Sequence, residues 1–198
     1  MNLPLFPLQT VLFPGGLLGL KVFEARYLDL IGRCLREQST FGVVALRRGA
    51  EVRSERPIDL EARGVVAVVM DADSLQPGIL QVRCRGTQRF EVLSAEQRDD
   101  GLWVGDTRLV GDDAVVAPEP ALHGTVRGLA NAISTLRAQN STPFLEPFRF
   151  DDAGWVANRW CEILPIPVAA KQKLMELEDP QVRLRLVDEF LRSKGVVQ

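Results

Sequence analysis

Histidine occurs once in this chain of 198 residues, at His123, and cysteine three times. A single imidazole excludes a histidine-rich metal centre and a His–His acid/base pair. Cys34, Cys84 and Cys161 lie far apart and form no C-x-x-C pair, so three buried thiols are expected rather than a disulfide framework or a zinc site. No run approaches the roughly 20 apolar residues of a membrane span. The N terminus also lacks the basic flank and unbroken apolar core of a signal peptide. These features read as a cytoplasmic protein with no membrane partner. Charge of one sign is missing too: 24 Lys and Arg stand against 26 Asp and Glu, for a net charge of −2. That balance supplies no bulk attraction to nucleic acid.

What is present is the composition of a globular protein, 46% hydrophobic and 25% charged, on a chain long enough to bury a core. The opening stretch organises the rest. Phe6, Leu8, Val11, Phe13, Leu17, Leu20, Val22 and Phe23 form an apolar series. Pro4, Pro7, Pro14 and the Gly15-Gly16 pair interrupt it too often for any helix, leaving short extended segments and tight turns. Beyond Glu24, Tyr27, Leu28, Ile31, Cys34 and Leu35 recur at three- and four-residue spacing, which predicts an amphipathic helix over about 24–38.

Thr40 to Leu46 reads as a strand, and the polar residues 49 to 60 as a surface loop. Ala62 to Met70 is nearly all apolar, as in a strand buried on both faces. Leu80, Val82 and Cys84 alternate with Gln81, Arg83 and Arg85. Gly86-Thr87 is read as the turn of a hairpin whose second strand carries Phe90 and Val92. Leu102 to Val110 adds a further strand, and six or so strands argue for a small barrel. Composition shifts at Gly111 to Pro120, where the lobe boundary is placed: 1–112 as a β-barrel lobe with one helix, 113–198 as a helical lobe. The second lobe is expected to hold a helix over 121–139, another capped by Asp151 or Asp152, a short one from Val168, and a last one started by Asp179-Pro180.

Pro4-Leu5-Phe6-Pro7-Leu8, Val11-Leu12-Phe13-Pro14-Gly15 and Val22-Phe23-Glu24 followed by Arg26-Tyr27 carry a family resemblance. It continues through Phe41-Gly42-Val43-Val44, Gly64-Val65-Val66-Ala67, Gly86-Thr87-Gln88-Arg89-Phe90 and, more weakly, Leu164-Pro165 with Lys171 to Glu176. Over nearly its whole length the chain resembles the substrate-recognition domain at the N terminus of Lon-type ATP-dependent proteases, a domain also met as a small stand-alone bacterial protein. The resemblance implies an α+β fold, a PUA-like β-barrel followed by a C-terminal helical bundle. It also implies a proteolysis-related, non-catalytic module that binds unfolded or apolar polypeptide segments. No GxxxxGK[ST] phosphate loop is present, and the chain ends before a Ser–Lys protease domain could begin. Neither ATP hydrolysis nor peptide cleavage is therefore expected, and no cofactor, catalytic residue or metal ligand is assigned. Self-association is weighed because a stand-alone recognition domain has lost the neighbours that cover part of its surface.

Phe144, Phe148, Trp155 and Trp160, large aromatics near prolines, are the candidate peptide-binding surface. The motif residues Phe23, Glu24, Arg26 and Tyr27 are read as structural, with Phe23 in the core and Glu24 and Arg26 pinning the strand-to-helix corner. The alternative to protein binding is an RNA-binding PUA-like module using Arg83, Arg85 and Arg89, with Arg47 and Arg48, as a basic barrel face.

Overall fold

The structure is a computed structural model that describes residues 1–48 and 58–197. Most of the polar stretch read as a loop, residues 49–57, lies outside the described residues. The chain divides into two compact units, Met1–Asp112 and Asp113–Gln198.

The first unit contains β1 (Asn2–Leu8), β2 (Leu17–Val22), α1 (Ala25–Glu37), β3 (Phe41–Arg48), β4 (Asp59–Gln76), β5 (Ile79–Gln97) and β6 (Trp103–Leu109). These strands form one sheet in the order β2-β5-β4-β3-β1-β6, and β6 also pairs with β5. Strands β5, β4, β3, β1 and β6 thus close a ring, which removes their edges. β2 stays outside it, paired along one flank only, from Leu17–Arg85 to Val22–Leu80. All pairings are antiparallel except β1 with β3. Leu3, Leu5, Val44, Val66 and Phe90 fill the interior. Gly42 and Gly64 are small because Phe90 is large: a Cβ on Gly42 would lie 2.7 Å from the Phe90 ring, and one on Gly64 2.6 Å.

The sequence-based hairpin at Gly86-Thr87 is corrected here. β5 runs unbroken through Gly86, and the true turn is the two-residue Pro77-Gly78 loop between Gln76 and Ile79. Proline presets the first turn position and Gly78, at φ 80°, takes the positive φ of the second. Gly86 instead marks where β5 exchanges β2 for β6 as its neighbour. The Pro14-Gly15-Gly16 turn docks there, with Gly15 N–H donating to Gly86 O and Gly86 N–H to Gly16 O, both at 2.9 Å. A Cβ on Gly86 would collide with the Phe13 carbonyl oxygen.

The second unit is a helical bundle of α2 (His123–Ala138), α3 (Ala153–Ile163), α4 (Val168–Glu176) and α5 (Pro180–Ser193). Every residue of α3 from Ala153 to Cys161 is buried, so this helix is the unit's axis and the others cover it. Asp152 caps α3, its carboxylate accepting from Gly154 N–H at 2.9 Å and Trp155 N–H at 3.3 Å. Asp179 does the same for α5 through Gln181 N–H at 2.8 Å and Val182 N–H at 3.2 Å, ahead of Pro180 at the first helical position.

Candidate functional site

The aromatic residues singled out in the C-terminal stretch pack against one another. Phe144, Trp155 and Trp160 are buried, and only Phe148 is half-buried. Phe148 lies 5.8 Å from Trp155 and 5.9 Å from Phe150, ring centre to ring centre, with the Arg137 guanidinium 4.7 Å above it. Trp160 donates its indole N–H to Thr125 O at 3.0 Å, the partner a buried indole requires. The loop carrying Phe144 and Phe148 folds onto its own unit because these rings gain more from burial than from exposure. The hollow beside Phe144 and Phe148 holds about 10 Å³, less than a peptide side chain needs. Of the four candidate rings, Phe148 alone keeps a solvent-facing part.

Most of the candidate arginines are covered or paired, while Arg48 and Arg85 stay exposed. Arg89 is buried, Arg83 pairs with Asp71 at 3.2 Å, and Arg47 pairs with Glu61 at 3.1 Å and Asp59 at 3.6 Å. Arg108 on the neighbouring strand is paired with Glu91.

Nucleophile and metal chemistry find poor footing. Burial pushes the Cys84 and Cys161 thiols up to about 12 and raises Cys34 as well, so none carries much thiolate at neutral pH. Among the described residues, no three His, Cys, Asp or Glu side chains are placed to hold a metal ion. His123 sits exposed at the first residue of α2. Among the described residues the strongly shifted carboxyl is Glu162, which burial pushes up to about 7 against the pull of Arg159, its partner at 2.6 Å. That pair lies on α3, in the second unit.

The motif residues give a clearer picture. Glu24 stands at the N-cap of α1 without capping it. Its carboxylate accepts instead from Arg26 at 2.9 Å, while Arg26 also donates to Gly101 O at 2.6 Å. The corner is pinned by a charge-assisted pair, with the Arg26 side chain buried beneath it. Tyr27 is buried and stacks on Phe6, with ring centres 3.9 Å apart and planes inclined by 12°. Phe23 departs from expectation. It is 52% exposed, not part of the core. Leu20 and Val22 take the inward positions of β2, so the residue following Val22 turns outward at the strand end.

Around Phe23 lies a groove of about 300 Å³, lined by Phe6 and Leu8 of β1, Leu18 to Lys21 of β2, and Thr10, Phe23, Glu24 and Tyr27. Its lining is mixed, with Thr10, Lys21 and Glu24 set among Phe6, Leu8, Leu18, Leu20 and Tyr27, and the exposed Phe23 beside them. Sequence reasoning named Phe6, Leu8, Leu20 and Phe23 as one apolar series and read Phe23 as core. The signal it lacked was the pairing: β2 joins β5, about 60 residues away, and leaves its other flank open toward β1.

Comparisons with known proteins agree with this architecture. The chain is 30% identical to a Lon protease of Anaeromyxobacter dehalogenans and 28% identical to Lon protease 2 of Myxococcus xanthus, each over 97% of its own length. It spans only 23% and 24% of those two relatives. Among solved structures, a Lon N-terminal domain protein from Xanthomonas campestris superposes with a TM-score of 0.74 at 34% identity, covering 94% of this chain and 96% of that one. The N-terminal domain of a Mycobacterium avium complex Lon protease shares the fold, with a TM-score of 0.66 at 14% identity over 96% of this chain and 97% of that one. The family model of the ATP-dependent protease La (LON) substrate-binding domain matches residues 2–193, and the chain belongs to that family.

Proposed function

We propose that this protein is a binding module that holds unfolded or apolar segments of other polypeptides and catalyses no reaction itself. The observation that carries the reading is the groove of about 300 Å³ in the first unit, with buried apolar residues at its base and Phe23 half in solvent at its rim. An aromatic side chain left exposed beside a hollow of mixed lining is what a recognition surface needs and a core does not. Membership of a substrate-binding family supports the same reading. Proteolysis driven by ATP belongs to relatives of which this chain spans about a quarter. A cytoplasmic setting suits three unpaired, buried thiols.

The test is binding of a permanently unfolded polypeptide, such as reduced and carboxymethylated α-lactalbumin, against its native disulfide-bonded form, with Phe23→Ser as the site variant. Preferential binding of the unfolded form, weakened by Phe23→Ser, supports the proposal. Equal binding of both forms, or a Phe23→Ser variant that binds as well as the parent, removes it.

A further inference from the structure

Strand β2 contributes four consecutive residues, Leu18, Gly19, Leu20 and Lys21, to the lining of the groove. Successive side chains of a strand point to opposite faces, so a hollow resting on one face touches only every second residue. Contact with four in succession means that the hollow runs along the strand's edge. Gly19 has only backbone to offer there. β2 pairs with β5 on its other side, and an antiparallel strand turns every second residue's N–H and C=O away from its partner. β1 meets the same groove with one face, through Phe6 and Leu8. Its pairing with β6 ends at Leu5–Trp103, so Phe6, Pro7 and Leu8 are bonded toward β3 alone.

Charge distinguishes the two ends of this edge. The Glu24 carboxylate is engaged by Arg26, whereas Lys21 is exposed and has no ion-pair partner among the described residues. The free charge of the groove is positive. A lysine on a short edge strand is also a means of discouraging pairing. Here, however, the lysine stands two residues from the half-exposed Phe23, and a blocked edge has no use for an exposed aromatic at its end.

Building on the binding function proposed above, we infer that the groove takes its polypeptide in extended form, as an added strand on the free edge of β2, and prefers an apolar segment with an acidic residue set against Lys21. Main-chain hydrogen bonds give affinity with little regard to sequence. The Phe23 and Tyr27 side of the groove selects apolar side chains, and Lys21 sets direction and register. The six residues of β2 match a segment of about six residues, roughly 20 Å long.

The experiment uses the full chain and fluorescein-labelled octapeptides of alternating valine and threonine that end in an aspartate. Two further peptides are N-methylated at alternate amides, one in each register, and a fourth carries asparagine for aspartate. The expected result is a loss of at least about tenfold for one N-methylated register and little change for the other, since only one set of amides faces β2. Asparagine should weaken binding by about two- to fivefold, with salt removing the difference. Lys21→Glu should abolish the preference for aspartate. Equal binding of both N-methylated registers overturns strand addition while leaving an apolar binding groove in place. Failure of every peptide to bind, with unfolded protein still captured, also overturns it. If unfolded protein is not captured either, the binding function itself falls. Protection of β2 amides from hydrogen exchange that rises with protein concentration alone would assign the edge to a second copy of the chain and overturn the inference.

Discussion

The guanidinium of Arg183, fully buried in the helical unit, donates to both carboxylate oxygens of Asp113, at 2.6 and 3.3 Å. It also donates to Asn158 Oδ1 at 3.1 Å and to the carbonyls of Leu174, at 2.9 Å, and Leu177. One buried cation thus ties the entry of the unit to α3 and to the α4–α5 connection. Removing one member of such a pair leaves an uncompensated buried charge, at a cost of about 3–5 kcal/mol. Asp113→Ala should show that loss in urea unfolding followed by Trp155 and Trp160 fluorescence. Asp113→Ala combined with Arg183→Met should recover part of it, because the double variant buries no charge. A loss below about 1 kcal/mol for the single variant would mean that water replaces the carboxylate.

Gly64 and Gly19 lie in strands of the same sheet and should respond oppositely to alanine. At Gly64 the new Cβ meets Phe90 and the Val43 carbonyl oxygen, and neither can retreat without moving the sheet. Overpacking of this kind costs about 1–3 kcal/mol. At Gly19 the nearest atom to an added Cβ is Gln81 Nε2, at 3.8 Å. Alanine fits there and should stabilise by about 0.4–1 kcal/mol by restricting the unfolded chain. Thermal unfolding of the two variants, with the parent, decides both.

Glu162 should make the stability of the helical unit depend on pH. Its carboxyl is raised from 4.5 to about 7 by burial, against the pull of Arg159. A raised folded-state pKa means that the unfolded chain releases the proton first. The stabilising contribution is therefore full below about 4.5 and lost as pH climbs toward 7. Other groups titrate over the same range, so the quantity to follow is the stability of the parent minus that of Glu162→Gln. Glutamine imitates the protonated acid and still accepts a hydrogen bond from Arg159. The difference should fall by roughly 1–3 kcal/mol between pH 4.5 and 7.5. A difference that rises with pH would show that the attraction of Arg159 outweighs desolvation.

Much of the fold was legible where a residue's local chemistry decides its structure. Proline and glycine punctuation between Pro4 and Gly16 marked β1 and β2, and three-to-four spacing from Tyr27 to Cys34 marked α1. Asp152 and Asp179 announced the starts of α3 and α5 because a cap is a local hydrogen bond. Gly86 misled, since a glycine required by the approach of the Phe13 carbonyl looks, in sequence, like one required by a turn. Pro77-Gly78 carried the real turn signal. The candidate site was the least legible part. Whether Phe23 or Trp160 is covered depends on which distant segment packs over it, and the open edge of β2 exists only because β5, and not β1, is its partner.

Phe23 and Tyr27 lie four residues apart and line one groove, yet they should separate stability from binding. Tyr27 is buried and stacked on Phe6, so Tyr27→Ala removes core volume and should cost about 3–5 kcal/mol, as large aromatic truncations do. Phe23 is half in solvent and makes no ring stack among the described residues. Phe23→Ser should leave stability within about 0.5 kcal/mol, the usual range for surface changes. If the groove is a recognition surface, the same substitution weakens capture of unfolded polypeptide, so the affinity change appears without a stability change. Circular dichroism melts of both variants, run beside the binding titration, measure the two effects independently. A Phe23→Ser variant that melts several degrees below the parent would place Phe23 in the core of the first unit and return its role to structure.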